Sequence, residues 1–452
     1  VVSIDRSRLR SLMAEEQQRF VATHPRSGEL FDRARGSMLA GVPMPWMSEW
    51  AGSYPVFVAS AHGARVEDVD GNSYVDFCLG DTGAMAGHSP PETVAAIAAA
   101  SGRGITTMLP SEDSIWVGEE MSRRFGLPYW QFCLTATDAN RFAIRLAREI
   151  TGRPKVLVFA WCYHGSVDET FVVVGPDGAA VSRDDNIGPP VDPAVTTRVV
   201  EWNDAAALER ELSHGDVACV LAEPALTNIG IVLPAEGFHT AMRSLTRGAG
   251  SLLIIDETHT ICAGPGGSTR AYGLEPDLLT IGKAIAGGVP AACYGMSEEV
   301  AGRVQSRLDE MSVTDVGGIG GTLSGNALSL AAMRATLSEV LTDEAFARMV
   351  ALGGRWAEGV RVAIDEVGLP WEVQQLGARA EYWFRETPPA NGTEAAAADD
   401  HELARFLHLH ALNRGVLLTP FHNMALMCPA TVEADVDRHT EVFREAAASL
   451  VG

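Results

Sequence analysis

Lysine is almost missing from this chain: among 35 basic side chains in 452 residues only Lys155 and Lys283 are lysines, the rest arginines. Any chemistry that needs a primary amine from a side chain must therefore use one of two positions. Positive charge is scarce as well. Against 58 acidic residues the balance is −23, which repels nucleic-acid phosphate and anionic lipid and excludes both as expected partners. The seven cysteines contain no C-x-x-C pair and sit mostly in apolar runs, so neither a disulfide framework nor a metal site is expected, and reduced thiols point to a cytoplasmic setting. No apolar run approaches the roughly 18 residues of a membrane-spanning helix. The first residues lack the charged, apolar and small-residue pattern of a secretory signal. Glycine (45) and proline (23) are at ordinary globular levels, which excludes collagen-like and low-complexity chains. No repeat of 20 to 50 residues is visible.

The apolar pattern that is present changes along the chain. Helical spacing over Ser7 to Ala22 and Gly28 to Leu39 leads into an aperiodic stretch, Gly41 to Pro55, rich in Pro, Trp and Met. Strands are predicted at Val56–Val58, Ala64–Val69 and Tyr74–Phe77, the last two joined by the hairpin signal Asp70-Gly71-Asn72. Beyond Gly80, helical stretches (Pro91 to Ala100, Ser114 to Phe125, Asp138 to Ile150) alternate with apolar strands at Val156–Ala160, Val217–Ala222, Leu252–Ile255 and Leu278–Ile281. Continuously apolar strands separated by helices are what a parallel sheet covered on both faces requires. Toward the end, helices over Leu323 to Leu341, Glu344 to Val367 and His401 to Arg414, with strands near Arg379–Phe384 and Gly415–Leu418, predict a smaller α+β domain. Pro388 to Asp400 reads as an exposed loop leading into a helix. The expected organisation is an N-terminal helical arm with a small antiparallel sheet over 1–75, belonging to the small domain, an α/β domain over 76–330, and the α+β remainder over 331–452.

Ligands of open parallel sheets bind beyond the carboxyl ends of the strands, and two strands end in residues with chemistry. Ser251-Leu-Leu-Ile-Ile-Asp256 ends in an acid, and Asp277-Leu-Leu-Thr-Ile-Gly282-Lys283 ends in one of the two lysines. Taken singly, the first is an ordinary helix cap and the second a solvated strand end. Together, an amine and a carboxylate at the ends of neighbouring strands match the needs of pyridoxal phosphate. The lysine forms the Schiff base, and an ionised aspartate keeps the pyridine nitrogen protonated so that the ring accepts electrons. A phosphate would find backbone N–H groups and a helix dipole where Thr135-Ala136-Thr137-Asp138 precedes a helix. Trp161-Cys162-Tyr163-His164-Gly165 follows another strand and brings aromatic side chains to the same rim.

The set T-A-T-D-A-N, W-C-Y-H-G, A-E-P, I-I-D-E and T-I-G-K, in this order, resembles the class III aminotransferases of pyridoxal-phosphate fold type I, in the branch of glutamate-1-semialdehyde aminomutase and the β-amino-acid transaminases. The resemblance implies a mostly parallel, seven-stranded-type sheet in a large domain, a smaller α+β domain and a homodimer with shared active sites. It makes Lys283 the Schiff-base lysine and proton shuttle, Asp256 the pyridinium partner and Tyr163 the ring-stacking residue. Ala136 and Thr137 would hold the phosphate, Thr322 would reach it from the second subunit, and Thr258, Glu223 and Asn228 would lie around the cofactor. Asp256-Glu257-Thr258 replaces an apolar contact beneath the ring with a hydroxyl, and T-A-T-D-A loses a glycine from the usual phosphate loop.

Departures are larger on the substrate side. Where the aminomutase branch has an arginine after a Gly-Val-x-x-Pro stretch, Gly41 to Met47 offers methionine; where β-amino-acid transaminases have one after a proline, Phe421 follows Pro420. Losing such a bidentate arginine costs a carboxylate substrate about 2–5 kcal/mol. A pocket rim of Trp46, Met47, Trp50, Met85 and Phe421 is expected to favour apolar or aryl amines, with Arg379 a candidate substitute charge. The expected activity is ping-pong transamination between a small-molecule amine or amino acid and a keto compound. An aminomutase using the same residues, a β-amino-acid transaminase and a cofactor-binding scaffold without turnover are the alternatives.

Overall fold

The computed structural model describes residues 4–184, 186–188, 191–310 and 317–451. They divide into two compact units, one made of residues 1–90, 347–388 and 398–452 and the other of 91–346 with 389–397.

The second unit is built on a seven-stranded sheet in the spatial order Tyr129–Cys133, Ala292–Met296, Leu278–Ile281, Leu252–Asp256, Val217–Ala222, Lys155–Phe159, Thr197–Val200. Six of these strands run in the same direction, while Ala292–Met296 is antiparallel to both its neighbours. All six residues of Val217–Ala222 are buried, as a central strand covered on both faces demands. The helix Ala136–Thr151 packs on this sheet. Thr135 caps it by accepting a hydrogen bond from the Asp138 amide at 3.1 Å, Gly152 ends it at φ 67°, and its buried face carries Phe142, Ile144 and Leu146 together with one polar residue, Asn140.

The first unit draws on three separated segments. Its helix Arg6–Thr23 is capped by Asp5, which accepts from the Ser7 amide at 2.8 Å. Proline opens the following helix, Pro25–Ala34. The strands Val58–His62, Arg65–Asp68 and Ser73–Asp76 form an antiparallel meander, and Val416–Leu417 adds to it in parallel with the third. At the predicted hairpin Gly71 adopts φ 87°, and the Asp68 carboxylate accepts from the Asp70 and Asn72 amides at 2.9 and 2.8 Å. A core of Phe20, Val66, Tyr74, Leu409, Leu412 and Leu417 joins the ends of the chain. A second sheet holds Glu372–Leu376, Arg379–Trp383 and Met424–Leu426.

Several boundaries differ from the sequence expectation. The units meet at Pro90/Pro91 and Phe346/Ala347 rather than at 75/76 and 330/331. Residues 76–90 bond into the first unit: His88 and Gly63 exchange both backbone hydrogen bonds at 2.8 Å, and the Phe77 carbonyl accepts from the Leu426 amide at 3.0 Å. The helix expected from Leu323 starts at Ala327, capped by Asn326, and its end widens into a π turn over Thr336–Val340. There the buried Arg124 guanidinium donates to the carbonyls of Leu337 and Leu341 at 2.7 and 2.9 Å. The loop expected at 388–400 contains a short helix, Gly392–Ala397.

Candidate active site

Two adjacent parallel strands deliver the central pair. Leu252–Asp256 lies beside Leu278–Ile281, with Asp256 opposite Thr280, so both chains leave the sheet at the same edge. After Leu278–Ile281 the backbone passes Gly282 and holds Lys283 at φ 51°, a left-handed conformation uncommon for a side-chain-bearing residue and characteristic of functional positions. The lysine Nζ lies 2.7 Å from Nε2 of the buried His259.

Asp256 is buried and fully engaged. Its Oδ2 faces Nδ1 of His164 at 2.9 Å and accepts from the Asn140 side chain at 2.8 Å, while Oδ1 accepts from the Thr258 amide at 3.0 Å. Asn140 is itself fixed, since its Oδ1 accepts from the Thr280 hydroxyl at 2.6 Å. Burial pushes the Asp256 carboxyl upward, but the His164 hydrogen bond and charge, with the other donors, hold it below the usual carboxylate range. Burial opposes a charged His164, yet Cys162 and the Asp256 carboxylate raise it well above an ordinary imidazole. Each partner of this buried pair therefore favours the charged form of the other. Nearby, burial lifts Glu223 to about 7. Its Oε1 accepts weakly from the Tyr163 amide at 3.5 Å, and its Oε2 from the Thr227 hydroxyl.

The start of helix Ala136–Thr151 lies against both strand-end loops. A Cβ placed on Gly282 would stand 3.2 Å from the Ala136 amide nitrogen, and one on Gly165 would collide with the Thr137 hydroxyl. Thr137 Oγ1 also accepts from the Ser166 amide at 3.1 Å. Two glycines thus keep a cradle open at a helix N-terminus, the setting in which backbone N–H groups and a hydroxyl bind phosphate. With an amine at Lys283 and an ionised acid at Asp256, the residues fit pyridoxal 5′-phosphate.

The second unit accordingly brings together Lys283, Asp256, Thr258, Ala136, Thr137, Tyr163 and Glu223, with Asn228 just beyond Thr227 in the half-buried turn that follows Glu223. Tyr163 is half-buried and meets Phe171 edge-on at 6.1 Å. Thr322 stands apart in an exposed turn ahead of the 327–335 helix. The expected rim residues all belong to the first unit. Trp46 and Met47 occupy a single turn, Pro45–Ser48, and the Trp46 ring meets Phe421 at 5.6 Å and 63°. Trp50 instead packs against the Phe20 and Tyr74 core, and Met85 is wholly buried. Arg379 is also buried, with Nη2 3.4 Å from Glu381 Oε2.

Three residues around the central pair carried no role in the sequence reading: Asn140, His164 and His259. A signal existed for the first, a lone amide on an otherwise apolar helix face. His164 lay within a motif read for its aromatic neighbours, and His259 follows Asp256 by three residues with no pattern to mark it.

Comparison with known proteins agrees with this geometry. Residues 46–446 match the family model "Aminotransferase class-III". A glutamate-1-semialdehyde 2,1-aminomutase of Desulfitobacterium hafniense is 34% identical over 94% of this chain and 98% of its own. Among solved structures, a glutamate-1-semialdehyde-aminomutase from Pseudomonas aeruginosa PAO1, in complex with PMP, is 51% identical with a TM-score of 0.97 over 99% of each chain. An omega-transaminase from Sphaerobacter thermophilus is 27% identical with a TM-score of 0.85 over 94% of this chain and 98% of its own. The chain belongs to the class III aminotransferases, enzymes of fold type I that work with pyridoxal phosphate.

Proposed function

We propose that this protein is a transaminase that moves an amino group from a small-molecule amine or amino acid to a keto acid, ketone or aldehyde by a ping-pong route, with pyridoxal phosphate carried on Lys283. The observation that supports it most is the placement of Lys283 and an ionised, buried Asp256 at the ends of adjacent strands. When bound, the cofactor supplies an electron sink for the carbon that bears the amine. The chain's residues do the rest. Lys283 would hold the cofactor, and its free Nζ would take the proton from the substrate's Cα and return one on the other side of the transfer. Asp256, oriented by His164 and Asn140, holds a proton on the ring nitrogen. Ala136 and Thr137 would anchor the phosphate, Tyr163 would stack on the ring, and Thr258, Glu223 and Asn228 would line the surrounding space.

On the substrate side, the sequence offers Met47 and Phe421 at the positions where the family resemblance expects carboxylate-binding arginines. Both features support a preference for apolar or aryl amines over a donor carboxylate. Exposed apolar side chains at Ile105, Met108 and Leu109 (49%, 74% and 73% accessible) support pairing with a second copy, whose Thr322 would complete the phosphate site. We place the enzyme in the cytoplasm.

A second reading is favoured by a specific observation: the relatives at 34% and 51% identity bear the name glutamate-1-semialdehyde aminomutase. An aminomutase would use the same residues but keep its intermediate bound until the amine had moved. One experiment separates the two. In a single turnover with a panel of arylalkylamines and α- and β-amino acids, a transaminase releases free ketone or aldehyde and stops with an aminated cofactor. An isomerised amino compound with no released carbonyl product identifies the aminomutase. A strict demand for a donor carboxylate contradicts the apolar pocket.

A further inference from the structure

We propose that His259 is a catalytic residue of this site, the group that takes a proton from Lys283 as its amine enters bond formation. This inference rests on the reading of Lys283 as the cofactor-bearing lysine, and the contact that carries it is the 2.7 Å approach of Lys283 Nζ to His259 Nε2. A lysine at neutral pH carries a proton it must lose before it can act as a nucleophile. The carboxylate of Asp256 is committed to His164, Asn140 and the Thr258 amide. His259 Nε2, by contrast, lies directly at the reacting nitrogen and accepts its proton in the tautomer that carries hydrogen on Nδ1.

His259 is held there by a rigid turn. The Ile261 amide bonds the Glu257 carbonyl at 2.9 Å and the Cys262 amide the His259 carbonyl at 3.3 Å. Buried Glu257 ties the same turn down, accepting from the Thr260 hydroxyl at 2.6 Å and the Ser268 amide at 3.2 Å. With the lysine backbone fixed in a left-handed conformation, neither partner needs to reorganise for the proton to pass. The step balances simply: Nζ passes one proton to Nε2, the neutral amine forms a C=N bond with the cofactor aldehyde, and the aldehyde oxygen leaves as water with the two remaining amine protons. Reversal returns the proton to Nζ when an incoming amine displaces the lysine.

The scarcity of lysine makes the test clean. Apoprotein is mixed with pyridoxal phosphate, and capture is followed by absorbance and by borohydride trapping with mass mapping. His259→Phe, which keeps a ring without an acceptor, should slow capture by about 100-fold, the ordinary scale of a positioned base. His259→Gln, which restores an acceptor, should recover part of that loss. Capture by His259→Phe within twofold of the parent overturns the proposal. Independently of any cofactor, apoprotein carrying ¹³C-labelled lysine should show two Cε signals, assigned with Lys155→Arg. The Lys283 signal should move in His259→Gln, and an unmoved signal also overturns the proposal. If the parent protein captures no cofactor on Lys283, the functional reading fails instead, while the labelled-lysine measurement still judges the contact.

Discussion

Each unit buries a cluster of charged side chains, and the two clusters are built to different ends. In the first unit Glu381 lies between Arg379, at 3.4 Å, and His422, at 3.2 Å, all three buried, with Arg379 and Glu381 on the strand Arg379–Trp383 and His422 just ahead of Met424–Leu426. Burial pushes Glu381 upward, but the charges and hydrogen bonds of His422 and Arg379 hold it below its usual range. In the second unit Asp256 is compensated just as thoroughly by His164 and Asn140, yet its surroundings lead to Lys283, half-buried, strained in its backbone and touching His259. Both units therefore bury charge beside partners, and what marks the proposed site is an amine at the margin of the network, beside a helix start on which two glycines pack closely.

Disrupting the two clusters should separate their roles. The largest effect is expected for Asp256→Ala, which strands buried His164 and removes the ring partner. Turnover, measured as amine-dependent cofactor conversion, should fall by roughly 10²–10³-fold, the scale of removing one preorganised electrostatic group. Arg379→Met should instead cost about 3–5 kcal/mol in unfolding free energy, leaving cofactor capture by Lys283 intact. The double variant Arg379→Met with Glu381→Gln should regain much of it. Equal loss of cofactor capture in both experiments would erase the distinction between the clusters.

A smaller effect concerns Glu223, whose folded carboxyl is raised by burial to about 7. Its protonated form favours the fold, so its stabilising contribution is complete below about pH 4.5 and fades as pH rises toward about 7, by at most on the order of 3 kcal/mol. Glu223→Gln should flatten denaturation midpoints across that window, and an unchanged slope would place the ionised acid in a more polar setting. Smallest and most local is a glycine comparison. Gly71→Ala, at φ 87° with open space around it, should cost about 1–2 kcal/mol of stability. Gly165→Ala, at φ 76° against Thr137, should in addition weaken phosphate-dependent cofactor retention in dialysis.

How legible each unit was follows from how its contacts are spaced along the chain. The central strands Val217–Ala222, Leu252–Asp256 and Leu278–Ile281 announce themselves because burial on both faces leaves no polar interruption, and their ends point to Asp256 and Lys283 without further information. Ala292–Met296 was not readable, since its Gly295 disfavours a strand on its own. The sheet needs that glycine because a Cβ there would stand 2.7 Å from the Trp130 ring. In the first unit the local hairpin at Asp70–Asn72 was readable, whereas the pairing of Ser73–Asp76 with Val416–Leu417 joins residues more than 300 positions apart and leaves no local trace. The same holds within the site. Thr137 and Tyr163 follow from position at element ends, but the contacts of His259 with Lys283 and of Asn140 with Asp256 exist only once the strands are side by side.

The most direct test of the central claim uses the two lysines. Borohydride reduction of the protein loaded with pyridoxal phosphate, followed by peptide mass mapping, should place one phosphopyridoxyl group on Lys283 and none on Lys155, and Lys283→Ala should abolish it. A label on Lys155, or no covalent adduct at all, would contradict the account.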